Sequence, residues 1–216
     1  FVMRKLLVFA VASALLICSS RARAAVNPLE QNLDQDTLIK LAEKGQLFNM
    51  IYDEKGELTH RLCIVMVDAS PDIVWGVITD FKNYDKFIPD MDPPVIRNKK
   101  DNEATVDFVL RIKIVGPIAS TQKYSTRYVM KKPKMFMHDP EDSSVEPGFW
   151  QLTPIDGGKR TLVYYYDKAP DLMELGKLVS GLVTTRPEFA LALQVSPVSI
   201  LLNQTKEYAE KKAKKK

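Results

Sequence analysis

Val67–Met91 reads VDASPDIVWGVITDFKNYDKFIPDM, and the run that leads into it, His60–Val67, is rich in β-branched and apolar residues. Such a run has the pattern of a buried strand. It stops at a cluster of helix-start signals. Ser70 suits the N-cap, Pro71 the first helical position, where its missing N–H costs nothing, and Asp72 complements the positive helix end. Val74, Val77, Ile78 and Phe81 recur at i, i+3, i+4 and i+7, which makes one apolar stripe on a helix of about three turns. After Asp80, Tyr84 and Phe87 belong to a second short helix that Pro89 ends. Trp75 lies off the stripe and is expected at the edge of a sheet, not in a cavity.

Upstream, Asp34 or Asp36 caps a short helix carrying Leu38, Ile39 and Leu41 and ended by Gly45. Leu47–Tyr52 reads as a strand, Asp53–Gly56 as a turn and Leu58–Val67 as the antiparallel partner. Downstream, Val95–Asn98 is a short strand before the Lys99–Asn102 turn. The cleanest twofold alternation follows. Val106, Phe108, Leu110, Ile112 and Ile114 share one face, and Asp107, Arg111 and Lys113 the other. Gly116-Pro117 breaks that strand. In the next, Lys123 and Arg127 mark the wet face, which turns Gln122, Tyr124, Thr126, Tyr128 and Met130 inward. Met135–His138 is a further strand, Asp139–Ser144 a polar loop, and Phe149–Pro154 and Arg160–Asp167 form a hairpin around Gly157-Gly158. In that last strand both faces are apolar, so alternation alone does not choose between Tyr164 and Tyr165.

A face that only packs on a helix is served by Val, Leu and Ile. Here the inward set includes Gln122, Tyr124, Thr126, Tyr128 and Trp150, whose polar atoms need partners when buried or cost on the order of 1–3 kcal/mol each. A ligand-lined cavity supplies partners; bonds to backbone or to rim water are the alternative.

The strand followed by [A/S]-P-x-x-V-W and D-x3-Y-x2-F-x-P, set by Ala69, Ser70, Pro71, Val74, Trp75, Asp80, Tyr84, Phe87 and Pro89, resembles the opening of the START and polyketide-cyclase superfamily, also called helix-grip or SRPBCC proteins. The resemblance spans Leu47–Lys212. It implies an α+β helix-grip fold, a curved antiparallel sheet of about seven strands wrapped around a long C-terminal helix, with an apolar cavity between them. Relatives include polyketide cyclases/dehydrases, lipid-transport proteins and coenzyme Q-binding proteins. Within that frame the expected ligand-binding wall is Phe108, Leu110 and Ile112, then Tyr124, Thr126 and Tyr128, then Trp150, Leu152 and Tyr164. Phe189 and Leu193, with Leu182 and Leu201, face it from the C-terminal segment. Asp171–Val183, interrupted by Gly176 and Gly181, reads as a short helix and mobile crossover able to gate the cavity. Pro187 opens the last helix and Pro197 interrupts it, with Ser196 able to cap the continuation.

At the start, Arg4 and Lys5 precede the apolar run Leu6–Ile17, and Ala22-Arg23-Ala24 follows as an A-x-A site. This pattern predicts a signal peptide over residues 1–24, starting at Met3, and a mature protein in the bacterial periplasm. An uncleaved anchor is the alternative. A lipoprotein at Cys18 is a third, opposed by bulky Ile17. Residues 25–46 are an extension with the short helix, 47–212 the domain and 213–216 a basic tail. Removing residues 1–24 takes away four basic residues and no acidic one, leaving 27 basic against 27 acidic. The lysines from Lys211 to Lys216 have no interleaved aromatic or Arg to read a base, so they predict a solvated end and no nucleic-acid partner. About 190 mature residues suit one domain. Cys63 alone survives cleavage, so no intrachain disulfide forms, and its mid-strand place suits a small buried hydrophobe.

Catalytic motifs are absent. His60 and His138 stand in no metal-binding spacing, and there is no nucleophile elbow, phosphate loop or dinucleotide fingerprint. Arg111, Asp107 and Glu146 are the charged candidates for orienting or acid/base work, but alternation puts the first two outside. The sequence therefore predicts an exported protein that binds a hydrophobic small molecule or lipid as carrier or sequestering protein, with transient membrane contact and no cofactor or metal. A cyclase/dehydratase using the same cavity is the alternative.

Overall fold

The computed structural model describes residues 34–115, 118–170, 172, 181 and 183–215. The expected signal peptide and most of the expected crossover, including Leu182, lie outside them. In chain order the elements are α1 (Gln35–Ala42), β1 (Leu47–Tyr52), β2 (Leu58–Val67), α2 (Pro71–Ile78), a 3-10 turn (Phe81–Lys86), β3 (Val95–Arg97), β4 (Glu103–Val115), β5 (Ile118–Lys131), β6 (Lys134–His138), β7 (Gly148–Ile155), β8 (Arg160–Lys168) and α3 (Pro187–Ala213). The strands make one antiparallel sheet in the order β1-β2-β8-β7-β6-β5-β4-β3. The fold is α+β, a curved sheet with a long C-terminal helix, as the resemblance implies. The sheet has eight strands where the resemblance implies about seven, because Val95–Arg97 pairs with Thr105–Asp107 at the β4 edge.

The decisive stretch starts its helix where read, but α2 spans eight residues, about two turns and not three, and Phe81 falls in the 3-10 turn beyond it. Ser70 occupies the N-cap in extended conformation and Pro71 the first turn, but the Ser70 hydroxyl makes no capping bond. Its backbone carbonyl accepts from Ile73 and Val74 instead, and Asp72 turns outward to pair with Lys132. In α1 the cap is Asp34, whose carboxylate accepts the Thr37 amide at 2.9 Å and the Thr37 hydroxyl at 2.7 Å. Val74, Val77 and Ile78 are buried on α2, which packs on α3, β7 and β8. The second short helix is a 3-10 turn, and the Tyr84 hydroxyl donates to the Ile78 carbonyl at 2.7 Å, fixing that turn against α2.

β2 is buried on both faces, which is why its sequence is apolar without alternation. Cys63, Val65 and Val67 join the core with Val106, Phe108, Leu152, Val198 and Leu202. Leu62, Ile64 and Met66 point the other way and are also buried; α1, with Leu38 and Ala42 buried, lies against this strand. β8 pairs with β2 in the register Val65↔Val163, so Val163 and Tyr165 share the core face with Cys63 and Val65. Two close approaches set backbone needs. At Gly148 a Cβ would stand 2.7 Å from the Tyr166 carbonyl oxygen, and Gly56 turns the β1–β2 hairpin at φ +79°. The last helix runs through the expected tail boundary to Ala213, with Lys212 over the Tyr208 ring at 4.8 Å.

Candidate functional site: a cavity between sheet and C-terminal helix

The core-side face of β4–β8 and the α3 face enclose two adjoining lobes of about 300 and about 410 Å³. Ile88, Met91, Tyr124, Tyr165, Asp167, Lys168 and Leu201 border both. Volumes of this size suit a small-molecule site. The strand-side lobe adds Phe108, Thr126, Tyr128, Met137 and Trp150 and opens past the exposed residues Asp139, Glu146 and Lys168. The helix-side lobe adds Leu110, Gln122, Leu193, Pro197 and Val198, with Arg61 at its back. Ring contacts stiffen the wall. Phe108 stacks on Tyr124 at 5.2 Å, Tyr128 lies tilted against Phe81 at 4.4 Å, and Trp150 meets Tyr165 edge-on at 4.8 Å.

Tyr124 exposes 44 % of its surface, yet burial pushes its hydroxyl up to about 12. The two facts agree if the surface it exposes is cavity wall, screened from bulk water by the protein around it. Burial also raises the Tyr128 and Tyr165 hydroxyls well above the ordinary value, so all three stay neutral donors at physiological pH.

One polar constellation sits inside the apolar wall. Arg61 on β2 stands directly opposite Asp167 on β8, with Nε 2.9 Å from Asp167 Oδ1 and Nη2 paired to Oδ2. Arg61 Nη1 also donates to the Gln194 carbonyl, three residues before Pro197 in α3. Pro197 has no N–H to give the Leu193 carbonyl four residues back, and the Arg61 donor falls on the neighbouring Gln194 carbonyl of the same turn. The Tyr165 hydroxyl donates to Asp167 Oδ2 at 3.2 Å. Burial raises the Asp167 carboxyl, and the Arg61 charge and hydrogen bonds pull it back without cancelling that effect. With its hydrogen bonds directed to Asp167 and backbone carbonyls, the guanidinium serves the fold and is not a spare anchor for a ligand anion.

Of the expected wall, Phe108, Leu110, Tyr124, Thr126, Tyr128, Trp150 and Leu193 line the cavity, as does Leu201. Ile112 pairs with Ser120 in the β4–β5 ladder, but its side chain lies outside the described residues. Three expectations are corrected. Tyr164 is on the opposite face of β8, and Tyr165 takes its place, because β8 is buried on both sides and only its register with β2 settles the face. Leu152 is buried in the packed core and does not reach the cavity. Phe189, one turn before Leu193, is half-buried and outside the lining. Arg111 pairs with Asp92 at 2.6 Å and Asp107 with Arg97 at 2.5 Å on the exposed side, whereas Glu146 is at the mouth. Sequence reasoning misses Arg61, Asp167 and His138. The signal for the first two is an opposite pair of charges, each at one end of an apolar strand. His138 lies at the mouth with its pKa lowered, chiefly by desolvation and then by Arg127, so it is uncharged at neutral pH. Among the described residues no three metal-ligating side chains cluster, and no helix is long and apolar enough to cross a membrane.

Solved structures with the same fold include Zhui aromatase/cyclase from Streptomyces sp. R1128, at 19 % identity and TM-score 0.53 over 70 % of this chain and 93 % of that one. TTHA0849 from Thermus thermophilus matches at 14 % identity and TM-score 0.53 over 69 % of this chain and 96 % of that one. At these identities the likeness is one of fold. No curated protein matches the sequence. The family model for polyketide cyclase / dehydrase and lipid transport proteins matches residues 67–207, from the end of β2 well into α3, and the chain belongs to that family.

Proposed function

We propose that this protein is an exported carrier or sequestering protein that buries a hydrophobic small molecule, such as a lipid, isoprenoid or polyketide-like compound, between sheet and α3. The observation that carries the reading is the cavity itself: apolar walls from Phe108, Leu110, Leu193 and Leu201, with Tyr124 presenting much of its surface to it. At ~25 cal/mol per Å², covering roughly 300–400 Å² of ligand yields about 8–10 kcal/mol before ordering costs, so sub-micromolar affinity needs no charged anchor. Export rests on Arg4, Lys5, Leu6–Ile17 and Ala22-Arg23-Ala24. Ligand exchange during transient contact with a membrane suits an exported carrier.

A cyclase/dehydratase is the second reading, favoured by His138, an uncharged base at the mouth. One experiment separates the two. Native mass spectrometry of protein from its own host identifies the co-purifying ligand, and long incubation with that ligand shows whether its mass changes. An unchanged ligand supports the carrier; a new product sinks it. An intact Met3 in a soluble cytoplasmic fraction would refute export.

A further inference from the structure

The cavity is asymmetric in polarity, and its mouth is asymmetric in charge. The helix-side lobe is mainly apolar, with Leu110, Leu193, Val198 and Leu201; its charged members are the Arg61–Asp167 pair and Lys168, which borders both lobes. The strand-side lobe ends on the loop between β6 and β7, residues 139–147, which contributes Asp139, Val145 and Glu146 to the lining. This loop carries Asp139, Glu141, Asp142 and Glu146 and no basic residue. Among the described lining residues the cations are Arg61 and Lys168. Arg61 is held by Asp167 and the Gln194 carbonyl. Lys168 already acts on Asp142, whose carboxyl is held low first by the Ser144 hydrogen bonds and also by this lysine. His138 adds a neutral imidazole, and Thr126 a hydroxyl.

We propose that the cavity selects its ligand by head group: an amphiphile whose apolar end lies against α3 and whose uncharged hydroxyl or cationic amine end lies at the mouth, with carboxylate and other anionic heads disfavoured. This rests on the hydrophobic-ligand reading above. An anionic head at the mouth meets Asp139 and Glu146, and among the described lining residues Lys168 is the one cation not held in the Arg61–Asp167 pair. A hydroxyl instead meets neutral partners and carboxylate acceptors, and an amine meets complementary charge.

The test is calorimetric titration of the full mature chain with three chain-matched probes, 1-decanol, decylamine and decanoate. At low ionic strength decanoate should bind roughly tenfold or more weakly than decanol, since each like charge at contact distance costs about fivefold even in water, and decylamine should bind at least as tightly as decanol. The acid–alcohol gap should narrow at about 0.5 M salt, where the Debye length falls to a few ångströms. Asp139→Asn with Glu146→Gln should narrow it at low salt too, by raising decanoate affinity; Asn keeps the Oδ1 acceptor that the Glu141 and Asp142 amides use. Decanoate binding as tightly as decanol, or a gap unmoved by the double substitution, overturns the selection. Failure of all three probes to bind overturns the hydrophobic-ligand reading beneath it, and so the two failures are distinct.

Discussion

Replacing Arg61 with Met tests whether the buried pair ties the sheet to the last helix. The Arg61 side chain is 6 % exposed and that of Asp167 16 %. Met keeps an unbranched apolar stem but removes every donor, leaving the Asp167 carboxylate buried without its cation and the Gln194 carbonyl without this donor. Breaking one side of such a pair costs about 3–5 kcal/mol, and an orphaned buried acceptor accounts for about 1–3 kcal/mol of penalties of this kind. The companion double variant, Arg61→Met with Asp167→Leu, removes the stranded charge as well. It should lie within about 1 kcal/mol of the wild type, because the desolvation cost of both ions disappears together. Urea unfolding with the slope m monitored is the assay, and the single variant should lower the midpoint by roughly 2 M if m is about 2 kcal/mol per M. Asp167→Leu alone strands the guanidinium at a like cost, so the double variant should fall short of the sum of the two singles by about 5 kcal/mol or more. Strict additivity of the singles, or a loss below about 1 kcal/mol for Arg61→Met, would refute the reasoning and make the pair incidental.

Tyr124→Phe removes a hydroxyl but keeps the ring stacked on Phe108; in a carrier, affinity for the co-purified ligand should change by no more than about 0.5–1.5 kcal/mol. A general acid at this position would instead show as a rate loss of about 10²–10⁴-fold. Trp75 is half-buried against the core and lies outside the cavity lining, so Trp75→Ala should cost about 1–3 kcal/mol, less than the 3–5 of a fully buried aromatic, with ligand affinity unchanged; an affinity loss at intact stability would contradict that placement. Cys63 is fully buried, and burial pushes its thiol from 9.0 up to about 12. It should resist an aromatic disulfide reagent at mildly alkaline pH in the folded state and react on unfolding. Because the folded value lies above the ordinary one, the unfolded chain loses this proton first, and the thiol lowers stability as pH rises from 9.0 towards about 12.

Much of this architecture is local information. The Ser70-Pro71 helix start, the stripe of Val74, Val77 and Ile78 and the alternation along β4 each depend on residues within a turn or two of one another, and each is legible in sequence; the break expected at Pro197 does not occur, since α3 runs through it from Pro187 to Ala213. Period two along β4 and β5 likewise identifies Phe108, Leu110, Tyr124 and Tyr128 as one face. Leu152 and Phe189 are misplaced because sharing a face with the cavity is not the same as reaching it: Leu152 is in the packed core on β7, which α2 contacts, and Phe189 stands one turn before Leu193, where the α3 lining begins. Sequence does not settle Tyr164 against Tyr165 at all, since β8 is covered on both sides and no polar face betrays its phase. The Arg61–Asp167 contact lies furthest from view. Its members are 106 residues apart, and each taken alone reads as an ordinary charge at the end of a strand. Only the pairing of β2 with β8 sets them opposite each other, and only the packing of α3 brings the Gln194 carbonyl into reach. Periodicity along one chain segment fixes which residues share a face, whereas register between distant segments fixes what those faces meet.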